Sequence, residues 1–214
     1  MPKMVFVEGL WHTGKSYFIT RLKEEARNDD SVLIHDAPRR FLTVRHAMYL
    51  YYPLIFNQNQ VFDRSPITTR AISDQRLGIY ESNKLTEAYW SEFYNDWVNA
   101  MYSCRHSIVV LYFRPFNSGE VQVFSSIENY IQNYPKDYSL VNPIECTAKR
   151  LTQLHEVYMD LILGLKKKMK KKFQFYQVEF RDTNDALDIL RYEGVLNPKP
   201  FLTEMDDPEM ESAD

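Results

Sequence analysis

The chain has 214 residues, 44% hydrophobic and 26% charged, with a net charge of −3. That suits one globular domain, or a domain with a lobe, and a net charge near zero excludes a whole-molecule field of the kind that draws proteins to nucleic acid. No apolar run reaches the roughly 18 residues that span a bilayer, and Cys104 and Cys146 lack metal-ligand spacing, so a soluble cytoplasmic chain with reduced thiols is expected.

In chain order, Met4-Val5-Phe6-Val7 reads as a buried strand running to Glu8, and Tyr17-Phe18-Ile19-Thr20-Arg21-Leu22 begins a helix. Between them, Gly9-Leu10-Trp11-His12-Thr13-Gly14-Lys15-Ser16 fits the phosphate-loop pattern G-x-x-x-x-G-K-[ST]. Backbone N–H groups of such a turn ring a phosphate, and the positive end of the following helix points at it. The pattern assigns Gly9, Trp11, His12, Thr13, Gly14, Lys15, Ser16 and Tyr17 to binding ATP. Lys15 reaches the β- and γ-phosphates, and Ser16 ligates Mg²⁺. Trp11 either stacks on a substrate ring or shields the loop from water.

Further strands are expected at about 31–36, 60–63, 107–113 and 174–180, and helices at about 15–27, 40–52, 66–78, 86–102 and 144–171. Trp90, Phe93, Tyr94, Trp97, Val98 and Met101 form one apolar helical stripe, and Asn142-Pro143-Ile144-Glu145 reads as a cap for the late helix. The alternation predicts an α/β fold: a five-stranded parallel sheet with helices on both faces. Residues 116–141 lack a clean period and read as a lid, so the domain is placed at 1–200 and an acidic, disordered tail at 201–214.

Two further groups carry chemistry. Glu8 ends the first strand beside the loop, where a carboxylate next to a triphosphate is costly unless it acts as a base or a metal partner. The alternative is a strand-end acid turned to water or capping a nearby helix. Asp63-Arg64-Ser65 closes the strand at 60–63, at the crevice where open α/β sheets bind ligands. Asp63 suits Mg²⁺, and Arg64 suits the phosphoryl group in transfer.

These segments, together with Glu81-Ser82 running to Trp90 and Trp97 and with Leu151-Thr152-Gln153-Leu154-His155-Glu156-Val157-Tyr158, resemble the deoxynucleoside kinases and their thymidylate kinase relatives. The resemblance implies Glu8 as catalytic base, Arg64 at the reacting phosphoryl, Asp63 in support of magnesium, and Asp182-Thr183-Asn184-Asp185 closing over adenine, with Asp182 and Asn184 as binding residues. It implies a small nucleoside or nucleotide as partner and a homodimer through the Trp90–Met101 helix. The chain departs from that pattern in the lid. The family's lid is rich in arginine that clamps the phosphates, whereas between Pro115 and Lys149 this chain has no arginine and Lys136 is the only lysine. Either Lys149 and Arg150 at the start of the late helix or residues elsewhere do that job. The position of the family's sugar-gripping acid falls near Thr69.

The acceptor stays open. Arg39, Arg40 and Arg70 either hold a monophosphate on the substrate or are solvated helix charges, and Tyr52, with Tyr49, Tyr51 and Phe56, either sandwiches a base or belongs to the core. The run Lys166-Lys167-Lys168-Met169-Lys170-Lys171-Lys172 is a solvated helix end, a track for a nucleic-acid backbone, or a dock for the acidic tail. The first expectation is therefore ATP-dependent phosphoryl transfer to a deoxynucleoside or its monophosphate. The alternatives are a kinase acting within DNA or RNA and a non-catalytic nucleotide-binding module.

Overall fold

The computed structural model describes residues 1–36, 49, 52, 55–74, 84–115, 124–133 and 146–198, without the side chains of 73, 84–88 and 90. In chain order these hold β1 (Lys3–Gly9), α1 (Lys15–Glu25), β2 (Val32–His35), β3 (Asn59–Asp63), α2 (Pro66–Asp74), α3 (Lys84–Ser103) and β4 (Ser107–Phe113). There follow α4 (Phe124–Asn133), α5 (Ala148–Met169), a 3₁₀ turn (Lys170–Lys172), β5 (Phe173–Val178) and α6 (Thr183–Tyr192). All five expected strands are present. They form one parallel sheet in the order β2-β3-β1-β4-β5.

Alternation along the central strands divides the core in two. Met4 and Phe6 of β1 and Ile108, Val110 and Tyr112 of β4 face a layer that includes Ile67, Trp97, Leu154, Tyr158 and Ile162. Val5 and Val7 of β1, with Val109 and Leu111 of β4, face Phe18 and Leu22 of α1 and Leu187 and Leu190 of α6. Burial on both faces explains why these strands read as continuous apolar runs. Phe93, Trp97, Val98 and Met101 of the predicted stripe lie in this chain's own core, and Trp97 meets Phe6 edge-on at 5.4 Å.

Three local expectations are corrected. Residues 146 and 147 are not helical, so α5 starts at Ala148 rather than near 144. Its cap is Thr147, whose side chain accepts from the Arg150 N–H, while Glu128 accepts from the Ala148 N–H at 2.8 Å. The span 116–141 contains a helix, α4, anchored in the core by Phe124, Ile127 and Ile131. After β5 the chain forms α6, where no helix was predicted. Asn142 to Glu145, Glu81, Ser82 and the tail from 201 lie outside the described residues.

The sheet order fixes where a ligand can enter. Neighbouring strands β1 and β3 send their following helices to opposite faces, α1 to one and α2 to the other. Adjacent loops that part in this way open a crevice at the carboxyl edge of the sheet. Glu8 and Gly9 stand on one side of that crevice, Asp63 and Arg64 on the other.

Candidate active site

The loop between β1 and α1 is built on two glycines with no room for a side chain. Gly9 has φ +135°, and a Cβ there would come within 2.5 Å of the Phe113 carbonyl oxygen. Gly14 has φ +101°, and its Cβ would lie 2.9 Å from the Arg181 Cα. Gly14 is also the N-cap of α1; it supplies no side-chain cap, and the first turn carries no acidic residue. The N–H groups and positive end of the helix therefore face the crevice unneutralised. Inside the loop Thr13 Oγ1 donates to the Leu10 carbonyl at 2.9 Å. Lys15 is buried, its ammonium donating to the same carbonyl and to Thr13 Oγ1 at 3.3 Å. It makes no ion pair among the described residues. Burial, followed by the charge of Arg64, pushes its pKa down to about 7.

Glu8 follows Met4 and Phe6 in the two-residue alternation and so turns into the layer under α2 and α5, fully buried. The reading that turns it to water is excluded. Ser65 Oγ donates to one carboxylate oxygen and Thr68 Oγ1 donates to the other at 2.5 Å. Tyr158 Oη in turn donates to Thr68 Oγ1 at 2.9 Å. Ser65 is held by its second task, since its Oγ accepts the Ile67 N–H at 3.0 Å at the start of α2, where Pro66 takes the first helical position. Burial raises the Glu8 carboxyl to about 7 against these hydrogen bonds and the charges of Arg64 and Lys15. A carboxyl poised there changes its protonation near neutral pH, as a general base requires.

Arg64 adopts φ +72°, a left-handed conformation rare for a side-chain-bearing residue. It is fixed by its N–H donating to Val7 O at 3.0 Å and by its carbonyl accepting from Tyr49 Oη at 3.0 Å. The guanidinium lines a cleft of about 390 Å³ with Trp11, His12, Gly14 and Lys15 to Tyr17. Tyr130 of α4 and Arg181 complete the lining. Asp63 lies close enough to Lys15 to favour its charged form.

Lys15, Arg64 and Arg181 give this cleft three cationic side chains, a donor set that fits a polyphosphate. The Ser16 hydroxyl and the Asp63 carboxylate are hard oxygen ligands of the type magnesium takes together with substrate phosphates. Among the described residues no group of three His, Cys, Asp or Glu side chains could hold a metal by itself.

Other predicted residues fall elsewhere. Arg39 and Arg40 lie outside the described residues. Arg70 pairs with Asp74 at 3.0 Å along α2. Tyr52 packs edge-on against Phe56 at 5.4 Å and tilted against His35 at 5.0 Å. Asp182 is the N-cap of α6, accepting from the Asp185 N–H at 3.0 Å, and Asn184 accepts from Arg21 at 2.8 Å. Neither is among the residues lining the cleft, and nor are Glu8, Gly9, Thr13 and Asp63, which lie beneath it or beside it. Lys172 caps α3, donating to the carbonyls of Met101 at 2.7 Å and Tyr102 at 3.1 Å, whereas the other five lysines of the run are exposed.

Four site residues escaped the sequence reading: Thr68, Tyr130, Tyr158 and Arg181. Tyr158 stands in the sequence only as part of the late-helix pattern. Thr68 could have been found from the spacing Ser65-x-x-Thr68, which sets both hydroxyls on the opening turn of α2. Nothing local marks Tyr130 or Arg181.

No protein-family model matches this chain, and no curated protein matches it by sequence. Solved structures do match in fold. The YorR protein of Bacillus subtilis, solved with phosphorylated GDP, aligns with a TM-score of 0.52 at 12% identity, over 90% of this chain and 98% of its own. Thymidylate kinase from Candida albicans gives 0.51 at 9% identity, over 91% and 93%. Polyphosphate kinase 2 from Arthrobacter aurescens TC1 gives 0.51 at 13% identity, over 94% and 72%. The chain has the fold of the P-loop kinases. No helix among the described residues is long and apolar enough to cross a membrane.

Proposed function

We propose that the protein is a kinase that moves the γ-phosphoryl group of ATP to a hydroxyl of a nucleoside-type acceptor. The observation that carries this reading is Glu8, a fully buried carboxyl at the mouth of a phosphate loop, held by two hydroxyls and adjusted to titrate near neutrality. A phosphate acceptor needs no base, whereas a hydroxyl acceptor does.

The loop amides and Lys15 would hold the donor phosphates. Bound magnesium, which Ser16 and Asp63 would ligate, would offset their charge. Arg64, its backbone fixed by Val7 and Tyr49, would orient the phosphoryl group for in-line transfer. Glu8, ionised, would accept the acceptor's proton at one carboxylate oxygen while Thr68 and Ser65 hold its orientation. The hydroxyl oxygen then forms the new P–O bond, and the bond to the departing diphosphate breaks.

Incubating the protein with Mg-ATP and a panel of nucleosides, nucleoside monophosphates and short DNA tests this. Phosphate transfer to a free nucleoside, abolished in Glu8→Gln, is the expected result. Transfer confined to monophosphates, with Glu8→Gln nearly unimpaired, would overturn the role of Glu8. Transfer only to DNA would turn attention to the five exposed lysines at the end of α5.

A further inference from the structure

The arginine-free stretch 116–148 contains a single lysine, Lys136, and so offers little charge to a polyphosphate. The described part of that stretch contributes an aromatic ring instead. Tyr130 of α4 stacks on His12 with ring centroids 3.9 Å apart and planes 21° apart. His12 sits on the crest of the phosphate loop in a left-handed conformation, φ +61°. On its other side the imidazole Nε2 accepts a hydrogen bond from the Arg181 guanidinium, so the neutral ring carries its proton on Nδ1.

Arg181 belongs to the turn between β5 and α6 and is itself locked. It has φ +60°, its N–H donates to Thr13 O at 3.1 Å, and its Cα lies against Gly14. Its guanidinium lies over the Phe180 ring, 4.8 Å from the centroid. Every one of these partners is neutral. A carboxylate in the place of His12 would cancel the charge of Arg181; an imidazole accepting through Nε2 fixes the direction of the guanidinium and leaves its charge whole. Burial, and then the nearby guanidinium, lower the pKa of His12 and keep it in the accepting form.

We propose that Arg181, held by the His12–Tyr130 stack, is the donor-phosphate clamp of this protein and takes the place of the absent lid arginines. The proposal rests on the polyphosphate-binding reading of the cleft and goes beyond it by assigning the clamp to the β5–α6 turn. Arg181 and Arg64 both line the cleft, so a polyphosphate there meets two guanidinium groups.

Isothermal titration of inorganic tripolyphosphate, and separately of adenosine, into the full chain tests the clamp. Arg181→Asn removes the charge and suits the left-handed backbone; tripolyphosphate affinity is expected to fall about ten- to a hundred-fold, with adenosine binding unchanged. Arg181→Lys should restore part of the loss. His12→Gly, which also accepts its backbone conformation, should weaken tripolyphosphate several-fold with Arg181 intact, and it serves if Arg181→Asn does not fold. Unchanged tripolyphosphate affinity in Arg181→Asn, or in His12→Gly where that is the variant that folds, would overturn the proposal. So would a parallel loss of adenosine, which would assign Arg181 to the base, or a wild-type chain that binds no tripolyphosphate. A wild-type chain that binds tripolyphosphate through Arg181 but transfers no phosphate from ATP would sink the kinase reading and leave the clamp standing.

Discussion

Replacing Glu8 by glutamine separates the cost of an active-site carboxylate from its use. The carboxyl is fully buried, and burial lifts its pKa from 4.5 to about 7. Between these values the unfolded chain has released the proton while the folded chain keeps it, so stability falls as pH rises through the window. At about 1.4 kcal/mol per pH unit, with both ends of the window only partly titrated, wild type should lose roughly 2 kcal/mol between pH 5 and pH 7 from this residue. Glutamine mimics the protonated acid and does not titrate, so Glu8→Gln should lack that loss. At pH 5 the two proteins should lie within about 1 kcal/mol of each other, since the amide can still pair with Ser65 and Thr68. At pH 7 the variant should be the more stable, by about 2 kcal/mol more than at pH 5. Lys15 acts above about pH 7 with the opposite sign, its lowered pKa making stability rise with pH, so the comparison belongs below that point. Urea unfolding at pH 5, 6 and 7 gives the numbers. Parallel pH dependences for the two proteins would refute the reasoning, because they would mean that Glu8 is already ionised in the fold.

Other substitutions probe the loop and the core. Lys15→Met should reduce ATP affinity about a hundred-fold or more while leaving the fold intact, by titration calorimetry and thermal melting, since the buried ammonium pairs with no carboxylate among the described residues. Gly14→Ala forces a side chain into φ +101° and against Arg181, which should cost about 1–3 kcal/mol in urea unfolding. Gly164→Ala, on α5 with none of the described residues within 4 Å of the new methyl, should instead stabilise by about 0.5–1 kcal/mol. Trp97→Ala should cost about 3–5 kcal/mol by emptying a fully buried ring site, and Trp97→Phe much less, because the indole N–H is buried without a hydrogen-bond partner among the described residues.

The strands β1 and β4 were the most legible because each is a short apolar run, and burial on both faces makes that signal strong. The phosphate loop was legible because its glycines are demanded by backbone geometry, which sequence records directly. Glu8 was legible as a site residue, but its burial was not: that depends on Ser65 and Thr68, brought to it by the β1–β3 pairing across some sixty residues. The helix α6 was hidden by its own cap. Asp182 to Asp185 look like a polar ligand loop, and only three apolar positions, Ala186, Leu187 and Leu190, mark the buried face that follows. In α4 the anchors Phe124, Ile127 and Ile131 are diluted by Ser and Asn, which weakens the period. Arg181 meets His12 across 169 residues of sequence, and no local pattern encodes that contact.

The most direct test of the account is the rate of phosphate transfer from Mg-ATP to a free nucleoside as a function of pH, for wild type and Glu8→Gln. A wild-type rate that rises with pH through about 7 and levels off, with Glu8→Gln slower by about a hundred-fold or more, is the predicted result. A Glu8→Gln enzyme that transfers phosphate to the nucleoside at the wild-type rate, or a wild-type protein that binds Mg-ATP and transfers nothing, would contradict it.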